Sequence, residues 1–174
     1  MVIECLSAAQ GETLIDELSI LLRDAVEGGA SVGFVTPPER DDAHHYRQEV
    51  LEQAGAESRL LLVDREGDRV LGSVQLELPG KPNDRHRVEL QKLLVLRSAR
   101  RQVRGLALIG AVEREALSLG RTLIVLDTRD GDIAESVYRR AGYTVAGRIP
   151  GYALNSDGIP IGTVIYYRLL QDGG

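Results

Sequence analysis

The residues with the most chemical potential lie between Val88 and Ala116, in the stretch VELQKLLVLRSARRQVRGLALIGAVEREA. A strand-like apolar run ends in Arg97, Arg100, Arg101 and Arg104, with Gln102, Val103, Gly105 and Leu106 among and after them, and helical spacing follows. Strand, basic turn and helix in that order suit a phosphate ligand. The first amides of a helix have no intrahelical partner and sit at the positive end of its dipole. Arginines add bidentate donors, and a glycine lets a ligand come close to the backbone. The same residues also read as a solvated basic turn, and spacing alone leaves both readings open.

The elements that must position this turn can be read on either side of it. MVIECLSA alternates like a strand, and Leu14, Leu18, Leu21, Leu22 and Ala25 recur at helical spacing from Glu12 to Glu27, where Gly28 and Gly29 stop the helix. A loop with paired prolines leads to a second helix over 41–54, with Asp41 or Asp42 as its cap. SRLLLVDREGDRVLGSVQLEL reads as a hairpin around Gly67, and a polar loop then joins it to the strand before the basic turn. After the helix come a β-rich run ending at Asp127, a helix with Ile133, Ala134, Val137, Tyr138 and Ala141 on one face and Gly142 as its stop, and two strands around Ser156-Asp157-Gly158. The order is β α α β β β α β α β β. It predicts an α/β (α+β) fold, a mixed sheet with helices on both faces.

A chain of 174 residues, 43% hydrophobic and 27% charged, can bury one sizeable core, so a single domain over 1–174 is expected. The net charge of −5 argues against nucleic acid or an anionic membrane as a partner. No apolar run is long enough to span a bilayer, and the N-terminus does not read as a signal segment; a cytoplasmic setting is expected. The single cysteine, Cys5, excludes an intrachain disulfide and reads as a small core residue. No His/Asp/Glu cluster has ligand spacing, so no metal is expected, and adjacent His44 and His45 read as solvated.

The strand, turn and helix resemble motif A of the GNAT-type N-acetyltransferases, a strand followed by Q/R-x-x-G-x-G/A and a helix. QVRGLA, 102–107, satisfies that pattern. Phasing the helix by Leu108, Ile109, Val112 and Ala116 suggests a second frame, RRQVRG over 100–105, with Val103 at a position usually held by glycine. The second frame is preferred here, because the first puts Gly110 where a core leucine is expected. GGASVGF, ELQKLLVL, LDT, AESVYRRAGYT and PGY…DG extend the resemblance over roughly residues 28 to 170, toward the tabtoxin-resistance-like group of these enzymes. The resemblance implies a mostly antiparallel sheet with a central, splayed parallel strand pair, acetyl-CoA as co-substrate, and direct acetyl transfer to a primary amine of a small molecule such as an amino acid or toxin.

Site residues follow from the same resemblance. An alkylamine is protonated at neutral pH and needs a base; Glu89 and Asp127 match the carboxylates that deprotonate or bind the amine. Glu89 shares a strand face with Gln91, while Val88, Leu90 and Leu94 are expected to point the other way. Backbone amides of Leu93, Leu94 and Val95 would meet the acetyl and pantetheine groups, and 100–106 (Arg100, Arg101, Gln102, Val103, Arg104, Gly105, Leu106) the pyrophosphate. Tyr138 matches the tyrosine that protonates the departing thiolate; without the resemblance it reads as core. Gln91 and Tyr152 are the acceptor-binding candidates. A small-molecule amine is the expected partner, with homodimerisation left open. A non-catalytic acetyl-CoA-binding or sensory module of the same fold is the alternative, motivated by Val103; the trio Glu89, Asp127 and Tyr138 speaks against it.

Overall fold

The computed structural model describes residues 1–30, 32–100 and 103–171. Strand β1 (Val2–Cys5) is followed by two helices where one was expected, α1 (Ala8–Thr13) and α2 (Ile15–Glu27). The reason is local. Ser7 accepts from the Gln10 amide while Gln10 reaches back to the Ser7 amide, a capping box that starts a helix early. That helix closes at Leu14, whose amide bonds to the Gly11 carbonyl. Helix α3 (Arg40–Gly55) begins one residue before the expected cap: Glu39 occupies the cap position, and Asp41 and Asp42 fall in the first turn, where the helix dipole favours carboxylates.

The hairpin forms as read, β2 (Arg59–Glu66) and β3 (Arg69–Glu77), with Gly67 at φ 61° in the turn. Strand β4 (Arg87–Val95) leads through a short 3-10 turn into α4 (Arg104–Ser118), β5 (Leu123–Arg129), α5 (Ala134–Arg140), β6 (Thr144–Leu154) and β7 (Pro160–Leu169). These strands form one mixed sheet in the order β1-β2-β3-β4-β5-β7-β6, antiparallel except for the pair β4 and β5. Among the described residues no helix is long and apolar enough to cross a membrane.

Two cores lie on opposite faces of this sheet. Helices α2 and α3 bury Leu18, Leu22, Val50 and Leu51 against Leu61, Val63 and Leu94. On the other face α4 and α5 bury Leu108, Ile109, Val112 and Tyr138 against Leu62, Val74, Leu76, Val88, Leu90, Ile124 and Leu126. Gly72 lets α4 approach β3: a Cβ there would lie 3.0 Å from both Leu108 Cδ1 and the Leu94 carbonyl oxygen. Cys5 is exposed, not core: it shares the α4 face with Leu62, but it stands at the end of β1, the sheet's edge strand, where cover is incomplete.

The parallel pair is joined only over Arg87↔Leu123, Val88↔Ile124 and Glu89↔Val125. Beyond that point β4 stays with β3 up to Val95, and β5 stays with β7 up to Arg129. The two central strands therefore part. A β-bulge marks the place: Gln75 opposes Gln91 and Ser73 opposes Leu94, so one β3 residue faces two on β4, and Lys92 takes a φ of 49°. An extra residue bends a strand and increases its twist, which turns the end of β4 away from β5. It also resets the alternation. Leu94, expected beside Val88 and Leu90, packs on the α2/α3 face.

Candidate active site

The opened strand pair, the start of α4 and the tip of α5 meet at one end of the sheet. On β4, Leu96 donates its amide to Leu71 of the neighbouring hairpin. Antiparallel ladders alternate, so the polar backbone groups of Leu93 and Val95 face the opposite edge, toward the gap left by β5. The Leu94 amide belongs to the β3 side. Of the three strand amides expected to meet a ligand, two are therefore turned toward the gap.

Helix α4 starts where the basic turn predicts a helix start. Val103 occupies the cap position with an unremarkable φ of −69° and no side-chain cap, and the first intrahelical bond runs from the Ala107 amide to the Val103 carbonyl. The amides of Gly105 and Leu106 precede that bond and have no acceptor within the helix. The Val103 side chain is 63% exposed. Leu108, Ile109, Val112 and Ala116 are buried as phased, whereas Gly110 lies off that stripe beside Arg114. No core position is lost at Gly110, which removes the ground for preferring the 100–105 frame; the 102–107 frame puts Gly105 in the first helical turn, against Val137 of α5. Arg101 and Gln102 lie outside the described residues.

The arginines of the turn are not equivalent. Arg97 donates to Asp24 at 2.9 Å and to Glu27 at 2.7 Å, which ties the turn to the end of α2 and holds its guanidinium pKa above the usual value. Arg104 is buried and donates to Asp64 at 2.7 Å and to Glu66, so two of its guanidinium nitrogens pair with β2, where the sequence reading expects a phosphate donor. Its hydrogen bonds to Asp64 and Glu66 hold its own pKa above the ordinary range, and that of Glu66 below. Arg100 donates to the Val95 carbonyl at 3.2 Å and its guanidinium lies near Gly28.

Glu89 and Asp127 do lie on one face. Glu89 is in register with Val125, and Asp127 stands two residues further along β5, so both carboxylates project on the α2/α3 side at the point of splaying. Asp127 is exposed, and Thr163 Oγ1 lies 2.8 Å from its Oδ2 and equally close to the Thr128 carbonyl. Glu89 accepts from Gln91 Nε2 at 2.9 Å. Gln91 is itself held by Arg59 and Glu77, so its amide is bound into the sheet's surface rather than open to a ligand. Sequence reading passed over Arg59 and Glu77, which lie far from Gln91 along the chain and meet it only through strand register.

Tyr138 packs against Tyr143 and Tyr166, with ring centroids 6.0 and 5.8 Å away, and is 5% exposed. Burial pushes its phenol pKa well up, and the carboxylates of Asp132 and Asp127 push the same way. A phenol in that setting keeps its proton at neutral pH. Its hydroxyl makes no hydrogen bond among the described residues. Glu135, one turn earlier on α5, accepts from the Gly131 amide at 2.8 Å and the Tyr166 hydroxyl at 2.6 Å, which fixes the loop between β5 and α5. Tyr152 stands 59% exposed on the edge strand β6, which β7 separates from β5, in the irregular stretch between Ile149 and Ala153.

Residues 17–143 match the model of the acetyltransferase (GNAT) family. An uncharacterized N-acetyltransferase in the hisH-hisA intergenic region of Azospirillum brasilense is 34% identical over 109 residues, which are 62% of this chain and 63% of that one. The matched part thus spans under two thirds of that relative's length. Among solved structures, ribosomal-protein-alanine N-acetyltransferase from Brucella melitensis superposes with a TM-score of 0.78 at 19% identity, over 98% of this chain and 100% of the other. The yncA protein of Salmonella typhimurium, solved with its cofactor acetyl-CoA, gives 0.78 at 17% identity, over 100% and 96%. At those identities the likeness is one of fold.

Proposed function

The chain belongs to the acetyltransferase (GNAT) family, and from that premise we propose that it transfers an acetyl group from acetyl-CoA directly to a primary amine of a small molecule. The observation that carries the reading is the parting of β4 and β5 beyond Glu89, opposite the N-terminus of α4. A pantetheine arm needs a slot with backbone donors, and a pyrophosphate needs amides at a helix N-terminus; these residues fit both needs. The amides of Gly105 and Leu106, with the guanidinium of Arg100, would hold the pyrophosphate; those of Leu93 and Val95 would meet the acetyl end.

Bound there, acetyl-CoA supplies an acyl group on a thiol leaving group. The chain's own task is to move protons. Glu89 Oε2 or Asp127 takes one from the cationic amine, which otherwise has no lone pair to offer. Tyr138 holds one at its hydroxyl at neutral pH and can deliver it to the departing sulfur. The small amine, in the manner of the tabtoxin-resistance-like group, and a cytoplasmic setting complete the proposal. Its test uses Glu89→Gln and Asp127→Asn: at least one should displace the pH dependence of acetyl transfer while acetyl-CoA affinity, measured by calorimetry, stays within about threefold. Wild-type profiles in both variants would pass the deprotonation to another group.

A further inference from the structure

Three adjacent strands place a polar cluster under Glu89, and its hydrogen bonds run in one direction. Arg59 stands opposite Glu77 in the β2–β3 register; Gln75 stands opposite Gln91, and Glu77 opposite Glu89, in the β3–β4 register. All five therefore share the face that carries α3. Arg59 is largely buried, with its side chain 12% exposed. Its Nη1 donates to Gln75 Oε1 and to Gln91 Oε1, each at 2.7 Å; Nη2 donates to Glu77 at 3.3 Å, and Nε to Gln53 of α3 at 2.6 Å.

A guanidinium can only donate, so the oxygen of the Gln91 amide must face it. The amide nitrogen then has to face the other way, and its two hydrogens go to Glu77 Oε2 at 2.8 Å and Glu89 Oε1 at 2.9 Å. Every donor and the acceptor oxygen of Gln91 are engaged. Glu89 Oε1 is pinned, and its Oε2 makes no hydrogen bond among the described residues.

We propose that Arg59, acting through the Gln91 amide, positions the Glu89 carboxylate; Arg59 and Gln91 are positioning residues. The inference rests on reading Glu89 as a base. Without Arg59 the Gln91 amide is free to turn its oxygen toward Glu89, and two neighbouring carboxylates lose both a donor and a counter-charge. Charged or titratable groups on this face also include Arg87 and Lys92 of β4, Asp127 and Arg129 of β5, Tyr167 of β7, and Arg47 and Tyr46 of α3, the last with its hydroxyl bonded to Gln75.

The test measures thiol release from acetyl-CoA against pH in the full chain, with the small primary amine that turns over fastest, for Arg59→Met and, separately, Gln91→Leu. Each should lower kcat about tenfold and displace the pH–rate profile while acetyl-CoA affinity by calorimetry stays within about threefold, the pattern of a misplaced base; Arg59→Lys, which keeps a charge and a donor, should lose less. Unchanged turnover and profile in a folded Arg59→Met protein overturn the proposal. If Arg59→Met does not fold, Gln91→Leu decides alone, and unchanged kinetics there also overturn it. Glu89→Gln separates the two layers: if that variant keeps the parent's pH–rate profile, Glu89 is not the base, whatever Arg59 and Gln91 do.

Discussion

Replacing Arg104 by methionine separates a phosphate contact from a structural cation. The guanidinium is the partner of Asp64, whose side chain is 0% exposed and whose Oδ1 has no hydrogen bond among the described residues. Methionine keeps much of the volume and leaves that carboxylate buried without its cation, an imbalance that costs about 3–5 kcal/mol. In a chain of this size each kcal/mol lowers Tm by about 2–4 °C, so Arg104→Met should melt roughly 10 °C early by circular dichroism at neutral pH. Asp64→Asn in the same chain removes the orphan charge and should restore most of the loss. Calorimetry well below the melting range should find acetyl-CoA affinity within about threefold of the parent, because the helix-start amides remain. An unchanged Tm with a large loss of affinity would refute this reasoning and return Arg104 to the pyrophosphate.

Other consequences are testable in the same preparations. Tyr138→Phe should cut turnover by about a hundredfold while acetyl-CoA binding holds, with much of the rate regained on a thioester whose thiol leaves without a proton; near-normal turnover on acetyl-CoA would leave Tyr138 a core residue. Val103→Asp should raise Tm slightly by setting a carboxylate at the positive end of α4, yet weaken acetyl-CoA binding several-fold by putting that negative charge at the phosphate approach; equal affinity would move the pyrophosphate elsewhere. Arg47 is wholly buried, with one hydrogen bond to the Leu18 carbonyl and two nitrogens that make no hydrogen bond among the described residues, and burial pushes it down to about 10 against a weaker opposing effect of Tyr46. A base with a lowered native pKa binds fewer protons than the unfolded chain above that pH, so its contribution improves as pH rises past about 10 and is unfavourable at neutral pH. Arg47→Met should accordingly raise Tm at pH 7; a lower Tm would mean the cation has a partner that stabilises it.

The order of elements could be read from periodicity and stop signals because each depends on neighbours in the chain. Leu108, Ile109, Val112 and Ala116 are one such stripe, and they are buried as phased. What escaped reading depends on residues far apart. The bulge at Lys92 has no glycine to announce it, yet it moves Leu94 to the other face and helps open the strands. The partners of Arg97 and Arg104 stand on α2 and β2, so a run of arginines that looks uniform in sequence is divided by the fold between ion pairs and an open turn. Arg59 was invisible for the same reason: nothing near it in sequence hints at Gln91, and only the β2–β3–β4 register brings them together.

Thiol release tests the central claim most directly. The purified chain is incubated with acetyl-CoA and a panel of small primary amines, amino acids included, and free CoA is followed together with the mass of each amine. Amine-dependent thiol release matched by a gain of one acetyl group on the amine, abolished or pH-shifted by changes at Glu89 or Asp127 and lowered by Tyr138→Phe, is the expected result. Tight acetyl-CoA binding with no amine raising thiol release above background hydrolysis would contradict it and leave a fold that binds the co-substrate without turning it over.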